Sequence, residues 1–147
     1  MPALAPLVLQ AGAIKVDVLS PPPRPPGLPP EDANPRAVVA VVSSGGFDLL
    51  LSADAESDAL APLDLPDVDA MKVPHHGSAD PGLPEVLRRA RPEVAAVEVG
   101  AHNPYGHPAP STLAALHRAR VRTYRTDRDG TVRLTVGADG MHVATSR

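Results

Sequence analysis

The sequence predicts an α+β fold, a mixed β-sheet with helices against one face, and three observations carry that prediction. Apolar residues alternate with polar ones near the N-terminus, with the period of two of a half-buried strand. Continuous β-branched runs follow, as in well-buried strands. Two later segments switch to the spacing of an amphipathic helix. At 147 residues the chain is long enough for one domain with a real core and too short for two.

Each element can be justified in turn. "AIKVDVL" alternates Ile14, Val16 and Val18 with Lys15 and Asp17, which marks a strand. "PPPRPPGLPP" then places seven of the 19 prolines in residues 21–30, where missing N–H groups forbid a sheet ladder. Residues 20–35 are therefore expected to form an exposed, mobile connector. "RAVVAVV" and "FDLLLSAD" read as a hairpin of buried strands joined by "SSGG", with Asp54 at the end of the second. "DAMKVPHH" is a further short strand carrying His75 and His76 at its carboxyl end. Asp80 and Pro81 open a helix with Leu83, Val86, Leu87 and Ala90 on one face, and Arg88, Arg89 and Arg91 lie where its dipole favours cations. "VAAVEVG" is a strand running into the loop "AHNPYGHP", and a second helix covers Ser111 to Ala119. "VRTYRT", "TVRLTV" and "MHVAT" read as three closing strands separated by "DRDG" and "GADG" turns.

Composition narrows the chemistry. Without cysteine there are neither disulfides nor thiolate metal sites, so a metal would need His, Asp or Glu ligands. Apolar runs fall short of the roughly 18 residues that span a membrane, and the start lacks the basic leader of a signal peptide. This piece is thus expected to be soluble. Residues 1–87 carry 4 basic and 12 acidic side chains, whereas residues 88–147 carry 10 and 5. The second part can present a phosphate-attracting face or simply a solvated, arginine-rich surface. Phe47, Tyr105 and Tyr124 are the aromatic residues, too few for a base-stacking platform for single strands to be expected.

Three successive predicted strands end in Asp54, in His75 and His76, and in the loop with His102, Asn103, Tyr105 and His107. Strand ends of this kind are where α/β layers build sites. Asp54 with a histidine of the 75–76 pair could hold zinc or manganese; the bland alternative is a polar turn with hydrogen-bonded imidazoles. His107 could donate a proton or bind phosphate, or "AHNPYGHP" is only a stiff turn. Asp127 and Asp129 read as turn formers, and His117 and His142 as structural or surface residues.

The ordered segments "NPRAVVAVV", "FDLLLSAD", "DAMKVPHHGS", "VEVGAHNPYGHP" and "TYRTDRDG" resemble the C-terminal half of the metallo-β-lactamase-like domain of the ComEC family, bacterial competence proteins for DNA uptake. The resemblance covers roughly residues 12–147. It implies half of a four-layer αββα sandwich with two divalent metal ions, zinc or manganese, in the cleft of the complete domain. It further implies hydrolysis of DNA phosphodiesters in a parent protein with a membrane channel region. By position, Asp54 matches a metal-bridging aspartate and one of His75 and His76 a metal ligand. His107, with Asn103 and Tyr105, matches the loop beside the metals, and Thr126 and Asp127 a supporting motif. Two departures stand out. Ala53 replaces the family's glycine before the aspartate, and the early His-x-His-x-Asp-His motif has no counterpart in this sequence. The chain is therefore expected to be a fragment of such a domain, inactive in isolation. The competing expectations are another hydrolase of the superfamily, acting on lactones or phosphoesters, and a non-catalytic binding module.

Overall fold

The computed structural model describes residues 5–23, 27 and 31–147. These form a mixed seven-stranded sheet whose spatial order, β1 to β7, repeats the order of the chain. β1 (Leu7–Ala11), β2 (Ile14–Ser20), β3 (Val39–Ser44) and β4 (Phe47–Leu51) pair antiparallel as a meander. β5 (Ala70–Lys72), β6 (Val94–Val97) and β7 (Arg122–Arg125) then continue parallel to β4. The α+β class expected from the sequence is the class observed.

Helices supply the crossovers between the parallel strands. α1 (Ser57–Leu60) lies between β4 and β5, α2 (Leu83–Ala90) between β5 and β6, and α3 (Pro110–Arg118) between β6 and β7. α2 buries Leu83, Val86, Leu87 and Ala90, the stripe its spacing predicts. With Leu60 of α1 and Leu116 of α3 they meet Val39, Val41, Leu50, Met71, Ala95 and Val97 from one face of the sheet in a single apolar core. The other face is apolar too, and across β1, β2 and β4 it leaves Leu9, Ile14 and Leu51 51%, 47% and 38% exposed.

Several elements differ from the sequence reading. β1 was not expected; it joins β2 through a turn at Gly12, which has φ 60°. The "DRDG" stretch is no hairpin turn. It forms most of the one-turn helix α4 (Thr126–Asp129), and β7 joins the main sheet. β8 (Val132–Gly137) and β9 (Gly140–Thr145) make a separate two-stranded ribbon, as their pattern suggests. Of the proline connector, residues 24–26 and 28–30 lie outside the described residues. Its ends are tied: Pro21 is buried and accepts a bond from the Ala5 N–H, and Arg36 donates to the Pro22 carbonyl at 2.9 Å.

The arginine-rich second part is less free than its composition suggests. Arg88, Arg91, Arg122 and Arg125 are paired with Glu85, Asp67, Glu93 and Asp127. The bare cationic surface is correspondingly smaller. Among the described residues no helix is long and apolar enough to cross a membrane.

Candidate functional site

The carboxyl ends of β4, β5, β6 and β7 point the same way because the four strands are parallel, so the segments that follow them gather along one edge of the sheet. Asp54 follows β4. The backbone turns at Ala53, whose φ of 46° lies in the left-handed region. Its carbonyl is held twice, by the His75 N–H at 3.1 Å and by the Lys72 ammonium at 2.6 Å. The same ammonium stands 3.6 Å from Asp54 Oδ1, and its side chain is only 11% exposed. Lys72 thus fixes both the turn and a positive charge beside the carboxylate.

After β5 the chain takes three left-handed residues in succession: His75 (φ 43°), His76 (φ 53°) and Gly77 (φ 82°). Such a run is costly for residues with a Cβ and holds only where partners over-determine it. Here they do. The Ser78 N–H reaches back to the His75 carbonyl, the Gly77 carbonyl accepts from the Ala109 N–H at 2.7 Å, and the buried Thr112 hydroxyl donates to the Ser78 carbonyl.

The turn separates the roles of the two histidines. His76 Nδ1 lies 2.7 Å from the Glu98 carbonyl, and because a carbonyl only accepts, Nδ1 carries the proton. The other ring nitrogen, Nε2, stands 3.5 Å from Asp54 Oδ1. Metal-ligating histidines are commonly anchored in this way, one ring nitrogen donating to a backbone carbonyl while the other is left for the ion. His75 instead directs Nδ1 to Glu56 Oε1 at 2.9 Å, and Glu56 also accepts from the Ser78 hydroxyl.

The loop after β6 brings the third group. Asn103 closes it on itself: its amide donates to the carbonyls of His107 at 2.8 Å and Gly100 at 3.3 Å, and its oxygen accepts from the His107 N–H at 3.0 Å. The side chain is used inside the loop, which makes Asn103 a brace. His107 stands with its ring 5.8 Å from that of His75, and Tyr105 stacks over His107 at 6.0 Å with 21° between planes. Thr126, after β7, ties the start of this loop down by accepting from the Val99 N–H at 2.7 Å and donating to the Val99 carbonyl at 2.8 Å. Asp127 is engaged by Arg125 at 2.7 and 3.0 Å, which lowers its pKa from the ordinary carboxylate value. His102 is exposed on the same loop, His117 lies exposed on α3, and His142 pairs with Asp139 on the ribbon.

Asp54, His75, His76, His107 and Tyr105 therefore form one continuous row. Sequence reasoning missed Lys72, Glu56 and the Glu98 carbonyl. A lysine between Met71 and Val73 in a buried three-residue strand was the available signal for the first. The second lies two residues beyond Asp54, and the third is a backbone group without a side-chain signature.

No family model matches the chain. ComE operon protein 3 of Bacillus subtilis (strain 168) is 31% identical over 129 residues, which cover 85% of this chain and 16% of that protein. This chain belongs to the ComEC family. A second ComEC-family relative, Recombination protein 2 of Haemophilus influenzae, is 30% identical over 116 residues, or 78% of this chain and 15% of that protein. The chain spans about one sixth of the length of these curated ComEC relatives. Among solved structures, a mutant of the CmlA β-hydroxylase aligns with a TM-score of 0.49 at 12% identity, covering 82% of this chain and 31% of that one, a likeness too slight to bear on function.

Proposed function

We propose that this chain is the C-terminal half of a metallo-β-lactamase-like domain that hydrolyses DNA phosphodiesters during DNA uptake, in a ComEC-family parent with a membrane channel. The observation that carries the reading is the pair Asp54 and His76, with His76 Nε2 3.5 Å from Asp54 Oδ1 at parallel strand ends and Nδ1 anchored on the Glu98 carbonyl. A carboxylate and an imidazole suit a divalent cation such as zinc or manganese.

The fit is partial. Among the described residues no group of three or more such donors converges, so these two are what this segment contributes and further donors come from the rest of the domain. Held in part by Asp54 and His76, such ions would supply water activation and charge neutralisation at the phosphate. The chain's own residues have separate tasks. Lys72 holds the Ala53 carbonyl and thereby aims Asp54, and Glu98 aims His76. His107, held by Asn103, is the proton donor to the leaving oxygen.

A calorimetric titration of the chain with manganese, followed by incubation with single- and double-stranded DNA, tests this. Binding is expected to be weak, abolished by Asp54→Ala and His76→Ala and retained in His75→Ala, with no cleavage of DNA. Loss of binding in His75→Ala but not in His76→Ala would overturn the ligand assignment. Robust cleavage abolished by Asp54→Ala would overturn the half-site reading and mean that the chain completes its own site.

A further inference from the structure

We propose that Tyr105, stacked on His107, forms a platform for one unpaired nucleobase of the strand whose phosphate reaches Asp54 and His76. The inference rests on the phosphodiester reading for the nature of the polymer and adds to it a contact with the base. Four observations converge on this ring.

Tyr105 is 79% exposed, so its outer face is open to a partner. A single exposed aromatic is ordinary on a protein surface; this one is fixed. Its inner face lies nearly parallel to the His107 imidazole, and the loop beneath it is closed at both ends by the Asn103 amide. A ring already held in place loses little freedom when a ligand stacks on it. Third, Tyr105 borders a cleft of about 310 Å³ with Val99 and Gly100 on its wall, at the lower end of the sizes typical of small-ligand sites. Fourth, His76 lines that cleft and its Nε2 stands 3.5 Å from Asp54, which lines a second cleft with His75, so His76 links the space under the ring to the donor pair. A flat heteroaromatic ring joined to a phosphodiester satisfies both ends at once, and stacking on an aromatic face tolerates any base. The base must be unpaired, since a ring inside a duplex offers no free face.

The scarcity of aromatic residues argued against a base-stacking platform for single strands, and the proposal departs from that expectation by one ring only, Tyr105 on His107. One base fits the inference better than a run of bases.

The test uses the 147-residue chain in metal-free buffer at low salt, titrated with a short single-stranded oligodeoxynucleotide or with an abasic oligomer carrying the same number of phosphates. With no tryptophan and two tyrosines, intrinsic tyrosine fluorescence reports on Tyr105 directly, and Tyr124→Phe removes the background. The base-containing strand is expected to quench the signal and to bind about tenfold more tightly than the abasic one. Tyr105→Ala should bring its affinity down to the abasic level without changing abasic binding, while Tyr105→Phe keeps most of the difference. Equal affinity for the two polymers, absence of binding to either, or equal weakening of both by Tyr105→Ala would overturn the proposal. Failure of the metal reading registers separately, as a manganese titration indifferent to Asp54→Ala and His76→Ala while base-dependent binding persists.

Discussion

Ala53 and Gly77 both lie in the left-handed region, with φ of 46° and 82°, yet they ask for opposite substitutions. At Gly77 a Cβ would meet Pro108 Cβ at 2.7 Å and Pro108 Cα at 3.2 Å, so the turn after β5 and the His107 loop approach each other only because no side chain intervenes. Gly77→Ala is therefore expected to cost about 2–4 kcal/mol and to shift the His107 ring resonances in NMR spectra, since the loop must retreat. At Ala53 the methyl group already sits in an unfavourable conformation. Relief of that strain, about 1 kcal/mol, outweighs the extra unfolded-state freedom of glycine, so Ala53→Gly should stabilise the chain by about 0.5 kcal/mol in urea unfolding. A loss of stability there would mean that the Ala53 methyl makes contacts worth more than its strain. The left-handed backbone of Ala53 is thus a local strain that the paired bonds to its carbonyl hold in place.

The elements divide by what determined them. The faces of α2 and the alternation of β2 were legible because each is a local pattern: Leu83, Val86, Leu87 and Ala90 recur at the helical period whatever they touch. The placement of Asp54, of His75 and His76, and of the His107 loop after neighbouring strands was legible as well, since those strands end side by side. The turn at His75 and His76 was not. Its conformation is dictated by Ala53, Ala109 and Thr112, all distant in sequence. The strand β1 was missed although Gly12, at a turn with positive φ, could have marked a hairpin. At the junction of β7 and α4, two aspartates that resembled turn formers have structural partners. Asp129 accepts from the Arg125 N–H at 2.7 Å, and Asp127 is clamped by the Arg125 side chain. The clamp sets a pH dependence. Because Arg125 lowers the folded pKa of Asp127, its stabilisation is complete above the unfolded value of about 3.9 and disappears as pH falls through the lowered folded one. Urea midpoints of the wild type and Asp127→Asn should differ at pH 7 and converge as the solution is acidified below about pH 4. A constant gap across that range would show that the carboxylate acts through something other than its charge.

On the scale of the molecule, the sheet is apolar on both faces while the helices cover one. Leu9, Ile14 and Leu51 stand on the uncovered side, and in the proposed reading the other half of the sandwich closes over them. The chain alone is expected to self-associate through this face. Sedimentation velocity should show mass increasing with concentration, and Ile14→Lys combined with Leu51→Lys should restore a monomer with an unchanged circular dichroism spectrum. A wild-type chain that stays monomeric at every concentration would exclude the face as adhesive. The strand order bears on another matter. Because β1 to β7 lie side by side in the order of the chain, each strand finds its partner in the segment just before it, and no remote stretch must be inserted between strands already paired. Such a sheet has a sequential route of assembly, in which pairing advances from one edge to the other as residues become available. Asp54 and His76 then meet early, at the pairing of β4 with β5, whereas the ring of Tyr105 reaches its place only when the loop after β6 docks on Gly77 and is tied to Thr126. Refolding followed by tyrosine fluorescence should therefore lag behind refolding followed by backbone circular dichroism.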